Sequence, residues 1–210
     1  MKRSHDDIEI ETKKIVLFGE SGIGKTTLFQ KLSNLKNKNY TFIKKYNSTE
    51  NFDLKAIQVD TTIGPVIIEL WDTAGQETFG KLRNAYLRGA DGVLLLYDMS
   101  NPRTITNLNK WLDQIKTITP TIPVAVLGNK ADHFDDLQQT HAVKLRDCNL
   151  QRDIGHANIK NFLISIKSDY HIEYNTSFWT GKTDIKKKDS CLIGLEYLLS
   201  NIFNKPVQLL

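Results

Sequence analysis

Between an apolar run, Lys14 to Phe18, and a segment with helical spacing of its apolar residues, Lys25 to Leu35, lies Gly19-Glu20-Ser21-Gly22-Ile23-Gly24-Lys25-Thr26. The pattern G-x-x-x-x-G-K-[ST] needs a strand that ends abruptly, a tight turn and a helix that begins at once, and the flanking segments supply them. The glycines let the backbone aim successive N–H groups inward, and the start of the helix adds partial positive charge. Such a concavity holds phosphate oxygens. Lys25 is placed for the outer phosphates of a nucleotide, and Thr26 offers a hydroxyl to magnesium, a hard cation that takes oxygen donors. Taken alone the loop also fits a plain glycine-rich turn, and it does not say which nucleotide it would hold.

The rest of the chain repeats the strand-then-helix alternation. Strands are expected at Lys14 to Phe18, Val66 to Trp71, Gly92 to Tyr97, Pro123 to Gly128 and His171 to Asn175, with Asp53 to Val59 forming an antiparallel hairpin with Val66 onward. Val93 to Leu96 and Val124 to Leu127 are apolar throughout, as suits strands covered on both faces. Helices are expected from Lys25 to Leu35, Arg103 to Ile118, Ala157 to Ile166 and Asp189 to Phe203. In the third, Ile159, Phe162, Leu163 and Ile166 read as a core-facing stripe. The fold class is therefore α/β: three layers, with a mostly parallel six-stranded sheet, one antiparallel edge strand, and helices on both faces.

With 210 residues, 40% hydrophobic and 25% charged, the chain suits one folded domain. Its net charge of +4 is scattered, and its densest run, Lys186-Lys187-Lys188, reads as a solvated helix start, so no nucleic-acid partner is expected. No run reaches the roughly 18 apolar residues of a membrane span, and Met1 to Ser4 leads into acidic residues, so a cytoplasmic address is expected. Cys148 and Cys191 match no metal spacing and read as free thiols.

Two further clusters narrow the chemistry. Asp72 ends an apolar strand, where ligands of open α/β sheets gather, and can hold magnesium through a water. Gly75 can offer a backbone N–H to a terminal phosphate, and Gln76 is placed to orient an attacking water. Asn129-Lys130-Ala131-Asp132 follows a buried strand. The Asp132 carboxylate can accept from the ring N–H and exocyclic amine of guanine, whereas adenine presents an acceptor where guanine has that ring donor. Lys130 would lay its stem along the base, and Asn129 would tie this loop to the phosphate loop. Together the clusters select a guanine nucleotide, GTP or GDP, with Mg2+.

Gly19 to Thr26, Asp72 to Gln76 and Asn129 to Asp132, in this order, resemble the Ras superfamily of small GTPases. Trp71 to Phe79, Tyr86-Leu87-Arg88-Gly89-Ala90-Asp91-Gly92 and Leu96-Tyr97-Asp98 are similar to Rab proteins, over roughly Lys13 to Asp132. The resemblance implies the P-loop small-GTPase fold and a slow GTP hydrolase that switches between GTP and GDP states. It implies nucleotide contacts from Glu20 through Gly24, Lys25, Thr26 and Thr27, with Lys25 and Gln76 catalytic. Thr49, in Tyr46-Asn47-Ser48-Thr49, would complete the magnesium ligands beside Thr26 and Asp72. Phe42 would pack on the base edge. Thr176-Ser177-Phe178-Trp179 would stand where the family has its guanine-contacting S-A-K, with Ser177, Phe178 and Trp179 lining the base.

The chain departs from the Rab pattern at Glu50-Asn51-Phe52-Asp53-Leu54, where the family has I-G-x-D-F after the switch threonine. It departs again at the bulky Phe178-Trp179. The distance from Asn129 to Ser177 exceeds the family's and is explained by an inserted segment, His133 to His156. The expected organisation is an N-terminal extension over 1–12, the GTPase domain over 13–204 and a tail over 205–210. The last residues, Asn204 to Leu210, include no cysteine of the kind Rabs prenylate, so attachment to the cytosolic face of a membrane is left open. The implied partners are an exchange factor, a GTPase-activating protein and effectors in vesicle transport. A non-catalytic scaffold that keeps the fold is the alternative, against which stand Lys25, Thr26, Asp72 and Gln76. A P-loop kinase or ATPase would leave Asp132 and Asp72 to Gln76 unexplained.

Overall fold

The computed structural model describes residues 10–35, 52–73, 80–131, 159–166, 170–173, 185–186 and 191–210. Strand β1 (Thr12–Phe18) leads through the glycine loop into helix α1 (Lys25–Ser33). The hairpin β2 (Phe52–Thr61) and β3 (Gly64–Thr73) follows, then α2 (Gly80–Leu87) and β4 (Gly92–Asp98). Two helices, α3 (Pro102–Thr106) and α4 (Leu108–Ile118), meet at Asn107 before β5 (Val124–Asn129). Then come β6 (Ile159–Ser165), β7 (Tyr170–Glu173), β8 (Ile185–Lys186) and α5 (Leu192–Ile202).

The strands form one sheet in the order β2-β3-β1-β4-β5-β6-β7-β8. The central pairs β3-β1-β4-β5-β6 are parallel. Antiparallel pairs close both ends, β2 on β3 and the β6-β7-β8 meander. The sheet is thus eight-stranded among the described residues, not six-stranded, and its antiparallel strands are not confined to one edge.

Two expectations fail at that second end. The helix expected over Ala157 to Ile166 is the strand β6, paired parallel to β5 from Val124↔Ile159 to Gly128↔Leu163. Phe162, Ile164 and Ile166 are all buried, a spacing of two. The stretch Ile-Lys-Asn-Phe-Leu-Ile-Ser-Ile satisfies both periods, and strand pairing with β5 decides between them. Lys186, read as a helix start, instead pairs with His171 in the β7–β8 ladder.

Alternate residues of the central strands face opposite layers, as the pleat requires. Val16, Phe18, Val93, Leu95, Val124 and Val126 pack under α3 and α4 with Ile105, Leu108, Trp111, Leu112 and Ile115. Trp111 meets Phe18 edge-on at 5.0 Å. On the other face Ile15, Leu17, Leu94, Leu96, Ala125 and Leu127 pack under α1 and α5, with Leu28, Leu32, Leu195, Leu198 and Leu199. Burying each of the larger of these side chains is worth about 1.5–3 kcal/mol, so the two faces hold the sheet firmly between its helical layers.

The last residues belong to this core. Val207 is buried, and its N–H donates to Ser200 Oγ at 2.9 Å. Thr62 N donates to Gln208 O and Leu210 N to Asp60 O, both at 3.0 Å, so residues 207–210 lie along the tip of the β2–β3 hairpin. Among the described residues no helix is long and apolar enough to cross a membrane.

Candidate functional site

The sheet's parallel strands β1, β4, β5 and β6 and the neighbouring β3 end on one side, and the candidate residues among those described stand at or just beyond these ends. Gly19 leaves β1 at φ +126°, and a Cβ there would strike the main-chain oxygen of Leu96. Gly24, the N-cap of α1, lies in the left-handed region at φ +102°, and a Cβ would collide with the side-chain amide of Asn129. These two positions admit only glycine. No side chain caps α1, so its first N–H groups stay directed at the loop's interior.

Lys25 is buried, and its ammonium lies across the loop on the main-chain oxygen of Glu20 at 2.5 Å. Thr26 Oγ1 donates to Asp72 Oδ2 at 2.5 Å, joining residues 46 apart in sequence. Asp72 is fully buried near the end of β3, where register pairs it with Leu17 of β1. Next to it, Thr73 Oγ1 donates to Leu17 O at 2.8 Å and pins the two strand ends together. A hydroxyl and a carboxylate in contact beside a buried ammonium offer hard oxygen donors, and this set fits magnesium. Ser21 and Gly22 form the exposed tip of the loop, Ile23 is buried beneath it, and Thr27 is half-buried on α1.

The second half of the site hangs on Asn129. Buried at the end of β5, it donates from Nδ2 to Ile23 O at 2.9 Å, the tie to the phosphate loop that its position leads one to expect. Its Oδ1 accepts from Ile166 N at 3.4 Å. Lys130 occupies the left-handed region at φ 65°, an uncommon conformation for a residue with a Cβ. Its ammonium pairs with Asp98 Oδ2 at 2.5 Å, while Asp98 Oδ1 accepts from Ser100 N and Oγ. The lysine head is therefore held by the end of β4, leaving its stem as the part that can line a pocket.

Ile166 was missed from sequence. It follows the last residue of β6 and lies against the position of a Gly24 Cβ at 3.5 Å, and it belongs to Ser165-Ile166-Lys167. That S-x-K spelling, much nearer to Asn129 than Ser177, was the available signal, obscured by the helical reading of the segment. Gln76, Gly75, Phe42, Thr49, Asp132, Ser177, Phe178 and Trp179 lie outside the described residues, as do the segment 133–156 and Glu50-Asn51.

Beside the site, where the chain departs from the Rab pattern, Phe52 stacks on Trp71 at 5.3 Å and meets Tyr86 at 5.1 Å. Lys14 Nζ sits 4.2 Å over the Trp71 ring, and burial holds its pKa below the usual lysine value against the opposing pull of Glu69 and Asp91.

Comparison with known proteins agrees with this geometry. The Ras family model matches residues 14–180. The Ras-related protein Rab-7b of Paramecium octaurelia is 34% identical over 165 residues, covering 76% of this chain and 75% of that protein. The Ras-related protein Rab-8A of Bos taurus is 35% identical over 176 residues, 83% of this chain and 79% of its own length. A Ras and EF-hand domain-containing protein of Xenopus tropicalis is 39% identical over 120 residues, 57% of this chain and 16% of that one.

Proposed function

We infer, because this chain belongs to the Ras family and is a Rab-like small GTPase, that it is a switch of membrane traffic loaded with GTP and magnesium on Gly19 to Thr26. The observation that supports this site most is the contact of Thr26 Oγ1 with Asp72 Oδ2 beside the buried Lys25. It joins the hydroxyl, carboxylate and ammonium that a magnesium triphosphate requires.

In this reading the backbone N–H groups of Glu20 through Gly24 and the first turn of α1, with Thr27, hold the phosphates. Lys25 leaves the Glu20 carbonyl for the outer phosphates. Thr26, Thr49 and, through a water, Asp72 would hold magnesium, which would supply positive charge against that developing on the phosphates. Gly75 donates to the terminal phosphate and Gln76 orients the water for in-line attack. Asp132 accepts from the guanine, Lys130 and Phe42 cover its faces and edge, and Asn129 keeps the base loop in register with the phosphate loop. We assign to the turn at Ile166, held to Asn129 through its backbone N–H, the place beside the base that the segment Ser177 to Trp179 was expected to fill. Ordering of the segments around Thr49 and Gly75 by GTP, and their release after hydrolysis, is the output that effectors read. An exchange factor and an activating protein complete the cycle, and the work is done at the cytosolic face of a membrane.

The decisive experiment identifies the nucleotide that co-purifies with the protein and follows single-turnover hydrolysis of GTP and ATP. Guanine nucleotide and slow hydrolysis of GTP alone are expected; adenine nucleotide, or GTP that binds and is never cleaved, overturns the reading. Gln76→Leu is expected to keep GTP binding and slow hydrolysis at least tenfold, and equal single-turnover rates would remove Gln76 from its role.

A further inference from the structure

Asn107 stands where α3 ends and α4 begins. An asparagine at a helix N-cap ordinarily turns its side-chain oxygen onto the first N–H groups of its own helix. Asn107 makes no such bond. Its Nδ2 donates instead to Glu20 Oε1 at 2.6 Å, across 87 residues of chain. Glu20 lies in the phosphate loop, and its main-chain oxygen is the one that receives Lys25 Nζ. The post to which it is tied is firm. One turn on, Trp111 packs on Phe18, and further along α4 Gln114 Nε2 donates to Asn84 Oδ1 of α2 at 2.5 Å.

A carboxylate carried on a loop that cradles an anion opposes binding of that anion unless it is turned away and its charge is shared. We propose that Asn107 is a positioning residue for nucleotide retention. It draws the Glu20 carboxylate to the α3–α4 junction, which keeps that charge off the phosphates and holds the first turn of the phosphate loop in place. The proposal rests on the reading of Gly19 to Thr26 as the phosphate site.

The test is the release rate of a fluorescent GDP from the full chain. Asn107→Ala is expected to speed release about tenfold, the scale of losing one charge-assisted hydrogen bond. Asn107→Ser keeps a good capping residue for α4 yet cannot reach Glu20, so it should speed release similarly while melting close to the parent temperature. Adding Glu20→Gln to Asn107→Ala removes the released charge and should reverse part of the acceleration, and raising salt should shrink the effect of Asn107→Ala. Release at the parental rate from both Asn107 variants overturns the proposal, as does a double variant no slower than Asn107→Ala. If the parent binds no guanine nucleotide at all, it is the site reading that falls.

Discussion

The two halves of the site are built by different means. The half proposed for the phosphates is one unbroken stretch of backbone whose shape comes from glycines with positive φ, and Asp72, the carboxylate proposed for the metal, arrives from the strand paired next to it. The base half is assembled from chain-distant pieces, the ends of β5 and β6, and its order depends on the side chain of Asn129 reaching Ile23 on one side and Ile166 on the other. The first half is written locally; the second exists only once the sheet has paired.

Four substitutions or conditions probe that contrast. The largest effect is expected where the halves touch. In Gly24→Ala the left-handed backbone costs about 1–2 kcal/mol, and its Cβ meets the Asn129 amide, so GTP affinity should fall more than a hundredfold by equilibrium titration. Near-parental affinity would show that the halves are mechanically independent. Asn129→Ala strips the buried Ile23 carbonyl of its donor, at a cost of about 2 kcal/mol, some thirtyfold in affinity for GTP and GDP alike. An effect on GTP only would assign the asparagine to the γ-phosphate rather than to the junction. Asp132→Asn should weaken GTP roughly tenfold and admit XTP, whose donor and acceptor pattern complements an amide, and unchanged affinities for both would strike Asp132 from the base half.

The smallest effect is one of pH. Tyr197 of α5 packs edge-on against Phe162 of β6 at 5.7 Å, and burial raises its phenol pKa to about 12. The folded chain therefore resists ionisation more than the unfolded one does. The stability this confers is whole below the unfolded value of 10.0 and is lost as pH climbs toward 12. Thermal melting should decline over that window, and Tyr197→Phe should flatten the decline. Identical profiles would mean that the Tyr197 hydroxyl is not withdrawn from water in the folded chain.

How much could be read beforehand follows the same division. Strands β1, β3, β4 and β5, the β2–β3 hairpin, and helices α1 and α5 were legible because their apolar spacing is unambiguous and turn residues bound them. The helix expected over Arg103 to Ile118 is present but breaks at Asn107, whose side chain serves Glu20 rather than the helix. Glycine spacing gave the phosphate loop, because three glycines and a lysine have few other uses together. The base half was legible at Asn129 and illegible at Ile166, since Ile159 to Ile166 satisfies helix and strand periods equally and only its neighbour β5 breaks the tie. Likewise, a strand as short as Ile185–Lys186 has no pattern of its own; β7 defines it.

The docking of the final residues on the β2–β3 tip has a consequence for how the protein is made. Thr62 and its partner Gln208 are separated by 146 residues, so the hairpin that is translated early keeps its tip unfinished until residues 207–210 are out of the ribosome. Domains generally fold as units once enough of the chain has been made. Here the early hairpin and residues 207–210 close together, so a nascent chain stalled before Val207 would carry a sheet with an open seam, and the arrival of those residues would be the step that seals it.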